Sequence, residues 1–91
     1  MNEAAFSIRW APTAQRDLRR PPEKIGTAVV EFIYGSLAGN PERVGRELHL
    51  QLAGHHVARR GDYRVVYRID RRAGVVLIVH VDHRADLYPR S

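Results

Sequence analysis

Three strand-like runs, His56 to Arg60, Tyr63 to Asp70 and Val75 to Val81, lie so close together that only turns fit between them. Gly61-Asp62 joins the first pair and Arg71 to Gly74 joins the second. Parallel neighbours need a crossover of about a dozen residues or more, so connections this short admit only antiparallel pairing. The second half of the chain therefore predicts an antiparallel three-strand meander.

Such a meander has an apolar face that something upstream must cover. From Ala5 to Trp10 apolar and polar residues alternate, with Phe6, Ile8 and Trp10 on one side, which predicts a strand. Pro12 or Thr13 opens a short helix running to Arg20, with Ala14 and Leu18 in its apolar stripe, and Pro21-Pro22 ends it. Beyond Pro22, the positions Ile25, Ala28, Val29, Phe32, Ile33 and Leu37 follow the i, i+3, i+4, i+7 spacing of an amphipathic helix. Gly39-Asn40-Pro41 breaks it. Pro41 to Leu52 reads as irregular, with a turn and then a short strand around Leu48 to Leu52. Two helices can cover only one face, so the expected class is α+β: an N-terminal strand, a helical hairpin and the meander, forming one twisted sheet with helices on one side.

The chain has 91 residues, 44% of them hydrophobic, which suits one domain over residues 1–91. Its longest apolar run, Val75 to Val79, falls far short of the roughly 20 residues of a membrane helix, and its start lacks a signal-peptide pattern. A soluble, cytoplasmic protein with no membrane partner is expected. No cysteine is present, so neither disulfides nor thiolate zinc sites contribute. Lysine and arginine number 15 against 10 acidic residues, a net charge of +5, and Lys24 is the sole lysine. Arginine suits bidentate phosphate contacts and stacking on bases, although codon bias also enriches it, so position has to decide.

Along Tyr63 to Asp70, strict alternation puts Tyr63, Val65, Tyr67 and Ile69 on one face and Arg64, Val66, Arg68 and Asp70 on the other. On the next strand Val75, Leu77, Val79 and Val81 share one parity, and Val76, Ile78, His80, Asp82 and Arg84 share the other. Arg64 and Arg84 are then expected on one open face, which Val57 and Arg59 join or not according to the turn register. Arg59, Arg60, Arg64, Arg68, Arg71 and Arg72 fall within one short stretch. This cluster is either a solvated surface or a phosphate-binding groove. Tyr88, shortly after Arg84, either stacks on a base or closes the edge of the core.

Leu52-Ala53-Gly54, the run from Ala58 through Gly61-Asp62-Tyr63-Arg64 to Tyr67-Arg68-Ile69, and the ending Val81-Asp82-His83-Arg84-Ala85-Asp86-Leu87-Tyr88 resemble the RelE branch of the RelE/ParE superfamily. The similarity is strongest to mycobacterial and other actinobacterial RelE-type toxins, and it extends over Thr13 to Leu18, Pro22 to Gly35 and Asn40 to Leu48. The resemblance implies a toxin of a type II toxin–antitoxin pair: a ribosome-dependent mRNA interferase that cuts the codon in the A site. The ribonucleotide's 2′-hydroxyl would attack the scissile phosphate and leave a 2′,3′-cyclic phosphate, with no metal and no organic cofactor. Carried over by the resemblance, Arg64 holds the scissile phosphate, Arg59 is one of two basic positions on the preceding strand, and Arg84 is the general acid or transition-state stabiliser. Tyr88 stacks on the substrate base, and Arg60 and Arg68 join the basic surface.

Val57 departs from the family pattern, because it occupies the second basic position. Arginine stays protonated below a pKa of about 12, so it cannot act as a base near neutrality. The candidates for that role are His56, His83 and Glu47, left unranked, and electrostatics alone is a fourth possibility. His49, His55, His56, His80 and His83 show no zinc-ligand spacing, so no metal site is expected. The resemblance also implies a cognate RelB- or Phd-like antitoxin with an acidic wrapping segment, ribosome and mRNA as targets, and operator DNA contacted only through the antitoxin complex. The rivals are a ParE-like inhibitor of DNA gyrase and a translation blocker that binds without cutting.

Overall fold

The structure is a computed structural model, and it describes residues 5–49 and 53–83. The meander forms as the short connections require: β3 (His56–Arg60), β4 (Tyr63–Asp70) and β5 (Val75–His83) pair antiparallel. Gly61 turns the first connection at φ +62°, a backbone conformation that costs glycine nothing. β1 (Ser7–Trp10) adds to the far edge of β5, parallel to it, and a two-residue β2 (Arg46–Glu47) adds to β3. The mixed sheet thus has the order β1-β5-β4-β3-β2.

The helices follow the sequence pattern with local changes. α1 covers Pro12–Asp17, shorter than expected, and starts on a proline that has no N–H to leave unsatisfied. α2 runs Glu23–Phe32 and continues as a π-helical segment, Ile33–Leu37. Val29, Phe32, Ile33 and Leu37 are buried as their spacing demands, Ile25 is half-buried, and Ala28 is exposed. A short helix, α3 (Pro41–Val44), occupies the stretch expected to be irregular, and the strand expected around Leu48 appears earlier, at Arg46–Glu47. Residues 50–52 of that expected strand lie outside the described residues. No helix among the described residues is long and apolar enough to cross a membrane.

The core lies between the helices and one sheet face, with Val65 and Tyr67 of β4, Val76 and Ile78 of β5, and Val29, Ile33 and Leu37 among its members. Strict alternation fails once. Tyr67 pairs with Ile78 but Val66 pairs with His80, so Val79 is an extra residue and β5 bulges. The bulge moves Val81 onto the core side with Val76 and Ile78, correcting the parity sets read from sequence.

α1 does more than cover the sheet. The β1–β5 ladder ends at Trp10 and Ile78, leaving the rest of that edge of β5 without a strand partner. Ala11 N–H donates to the Ile78 carbonyl (2.9 Å), the Thr13 hydroxyl to the Val79 carbonyl (2.6 Å), and Val81 N–H to Asp17 Oδ2 (3.0 Å). The helix start and its side chains thereby satisfy an edge that would otherwise be exposed.

Candidate functional site

Cross-strand partners share a face, so the register sorts the charged residues directly. Arg59 lies opposite Arg64, and Arg64 opposite Asp82. The adjacent row runs Arg46, Val57, Val66 and His80, and the next runs Arg68, Leu77 and Arg9. Arg9, Arg46, Arg59, Arg64 and Arg68 therefore share the sheet face that the helices leave open. Its middle is apolar, Val57 beside Val66, and guanidinium groups surround it. Like charges directly opposite each other, as in Arg59 and Arg64, are unfavourable unless an anion sits between them. Asp82, on the other side of Arg64 from Arg59, offsets the Arg64 charge in part, with Arg64 Nε 3.3 Å from Asp82 Oδ2 and both side chains about a third exposed. A depression of about 460 Å³ at the far end of the face is lined by Arg9, Arg68, Asp70 and Leu77 among others.

The remaining sequence candidates point elsewhere. His56 is paired with Tyr67 on the helix side, stacks on its ring with centroids 5.5 Å apart, is 8% exposed, and has a buried Nδ1 with no hydrogen-bond partner. Glu47, paired with His56, shares that side. Arg60 lies over the Phe32 ring, 5.5 Å from its centroid, again on the helix side. His83 is opposite Tyr63 and lines a small cavity with Asp17, Pro21, Ile25, Val29 and Val81. Of the sequence candidates, the structure thus brings Arg59, Arg64 and Arg68 together and separates His56, His83, Glu47 and Arg60 from them. Arg84 and Tyr88 lie outside the described residues.

Sequence reasoning missed three residues on or beside this face. Arg9 and Arg46 arrive from strands whose pairing partners no local pattern names. His80 was placed by parity with Asp82 and Arg84 and weighed as a metal ligand but given no part in the site, yet its side chain is 49% exposed and its Nδ1 is 3.2 Å from Asp17 Oδ2. Asp17 is 63 residues away in sequence, and no spacing signal connects them.

A second polar cluster braces the sheet's other end. Arg71 makes a bidentate pair with Glu42, its Nη2 2.8 Å from Oε1 and its Nε on Oε2. Hydrogen bonding to Arg71 holds the Glu42 carboxyl below the usual carboxylate range, and the same bond pushes the Arg71 guanidinium above its ordinary value. Burial, and then the nearby Glu42 charge, push the Tyr67 phenol up to about 12. Burial also raises the Tyr63 phenol, against a smaller opposing effect of Arg60.

Known proteins match most of the chain. The family described as ParE toxin of the type II toxin–antitoxin system parDE matches residues 8–88. The chain is 51% identical over 85 residues to Toxin RelG of Mycobacterium tuberculosis, covering 93% of this chain and 98% of that one. It is 54% identical over 83 residues to Toxin RelE of the same organism, covering 91% and 86%. Among solved structures, the M. tuberculosis RelBE2 toxin–antitoxin complex superposes with a TM-score of 0.87 at 50% identity, over 90% of this chain and 94% of the other. The intact E. coli RelBE complex gives a TM-score of 0.71 at 14% identity, over 87% and 96%, which is a likeness of fold.

Proposed function

The chain belongs to the RelE/ParE superfamily and is a RelE-type toxin of a type II toxin–antitoxin system, and from that premise we propose that it is a ribosome-dependent endoribonuclease that cleaves mRNA in the A site and stops translation. The observation that carries the reading is the register that sets Arg59 against Arg64 on the open face, with Arg9, Arg46 and Arg68 around them. Such an array matches a polyanion that presents successive phosphates, and the half-buried Val57 at its centre suits a sugar or base edge.

In this reading Arg64 and Arg59 hold the scissile phosphate and stabilise the extra negative charge of the five-coordinate transition state. The 2′-oxygen forms a bond to phosphorus as the bond to the 5′-oxygen breaks, giving a 2′,3′-cyclic phosphate and a 5′-hydroxyl. Arg84 stabilises the departing oxygen and Tyr88 stacks on the base, the roles the family resemblance assigns. Asp82 competes with RNA for Arg64, so substrate has to displace a bond already made. The partner is a cognate antitoxin, as in the M. tuberculosis RelBE2 complex, and an acidic segment of it would complement the basic face. The site of action is the cytoplasm, where mRNA is translated.

The test is a purified translation system programmed with a defined mRNA. Cleavage within the A-site codon, 2′,3′-cyclic phosphate ends, and no cutting of ribosome-free mRNA or by Arg64→Ala are expected. A second reading, gyrase inhibition, is favoured by the ParE family description and by Val57 at the usually basic position. Intact mRNA together with blocked DNA supercoiling would establish it instead.

A further inference from the structure

The carboxylate opposite Arg64, Asp82, is already paired with that guanidinium, so the proposed cleavage needs another proton acceptor. Guanidinium groups do not take protons near neutrality, Val57 is inert, and His56, His83 and Glu47 face the helix side of the sheet. His80 sits on the other side. By register it shares the face of Val66, and it is the diagonal neighbour of Arg64, a separation of about 7–8 Å between Cα atoms. The Val79 bulge is what turns it there.

Its orientation is fixed from the sheet edge. Asp17 Oδ2 accepts the Val81 N–H at 3.0 Å and lies 3.2 Å from His80 Nδ1, with the Asp17 side chain 13% exposed. An ionised carboxylate only accepts hydrogen bonds, so Nδ1 carries the proton and donates it. In the neutral form of the ring this bond selects the tautomer whose Nε2 lone pair is free, on a side chain 49% exposed. The charged groups around it are Asp17 from α1, Asp82 two residues along its own strand, and Arg64 from β4.

We propose that His80 is the general base of RNA cleavage by this chain, with Asp17 as its positioning residue; the inference rests on the endoribonuclease reading above. Nε2 takes the proton of the 2′-hydroxyl as the 2′-oxygen bonds to phosphorus, and the bond from phosphorus to the 5′-oxygen breaks. The 5′-oxygen leaves with a proton from solvent, and the imidazolium returns its proton to water, so no atom or electron is left unaccounted for.

The experiment measures single-turnover cleavage of programmed ribosomes by the full chain and by His80→Asn. The asparagine amide occupies the place of Nδ1 and keeps the bond to Asp17, but it offers no base. The expected result is a fall of about 100-fold or more in the cleavage step with unchanged ribosome affinity and unfolding midpoint. Asp17→Asn is expected to lower the same step about tenfold, and free imidazole to restore part of the activity of His80→Gly. Restoration by imidazole serves as the second readout, since a merely structural histidine would not respond to it. Cleavage by His80→Asn within threefold of the wild type overturns the assignment and leaves the endoribonuclease reading standing; a concurrent loss in Asp82→Asn would give the proton to Asp82. Failure of the wild-type chain to cut overturns both.

Discussion

Tyr67 joins three parts of the chain through one hydroxyl. Its ring is fully buried on the core face of β4, its Oη donates to the Pro41 carbonyl at 2.5 Å, and it packs against Gly45. A Cβ at position 45 would meet that hydroxyl and stand 2.7 Å from the Val57 carbonyl oxygen. Gly45 is there for close approach, since its backbone is extended at φ −126° and unstrained. Gly45→Ala should destabilise by about 1–3 kcal/mol, and adding Tyr67→Phe should make the pair less than additive, a coupling that denaturant titration of the double-mutant cycle reads directly. Tyr67→Phe alone should cost about 1 kcal/mol near neutral pH. The phenol's folded value is about 12 against an ordinary 10.0, so this residue's contribution is full below pH 10 and is lost as pH rises through 12. The stability gap between wild type and Tyr67→Phe should therefore narrow across that window; a gap that widens would contradict the assigned burial.

The strands were the most legible elements, and β5 shows where legibility stops. His56–Arg60 and Tyr63–Asp70 fall where alternation and short turns put them, because both signals are local. The Val79 bulge has no local signal, yet it decides that His80 and Asp82 face Arg64. Likewise β2 and α3 are too short to show periodicity, and the parallel pairing of β1 depends on a partner more than sixty residues away. In the candidate site, Arg59, Arg64 and Arg68 could be grouped from sequence because they belong to one hairpin. His56 and His83 were grouped with them by proximity along the chain and Glu47 by the family resemblance, and sheet sidedness separates all three. At this scale the edge of β5 is the testable part. Thr13→Val removes the hydroxyl that caps the Val79 carbonyl and should lower stability by about 1 kcal/mol, with faster amide exchange at Val81 than in the wild type as the local readout.

Across the whole molecule five of the fourteen arginines gather on one sheet face. The +5 chain puts Arg9, Arg46, Arg59, Arg64 and Arg68 on the face the helices leave open, while Arg60 and Arg71 are engaged elsewhere by Phe32 and Glu42. Affinity for single-stranded RNA should fall steeply with salt, and Arg68→Ala should reduce the log–log slope by about 0.7 if it contacts one phosphate. Arg60→Ala should leave that slope unchanged. Whether this face cuts mRNA on the ribosome is decided by primer extension on mRNA from cells briefly expressing the chain or its Arg64→Ala variant. New 5′ ends phased to codons, dependent on translation and absent from the variant, are the predicted result. Growth arrest with intact mRNA, or the same cuts from Arg64→Ala, would contradict it.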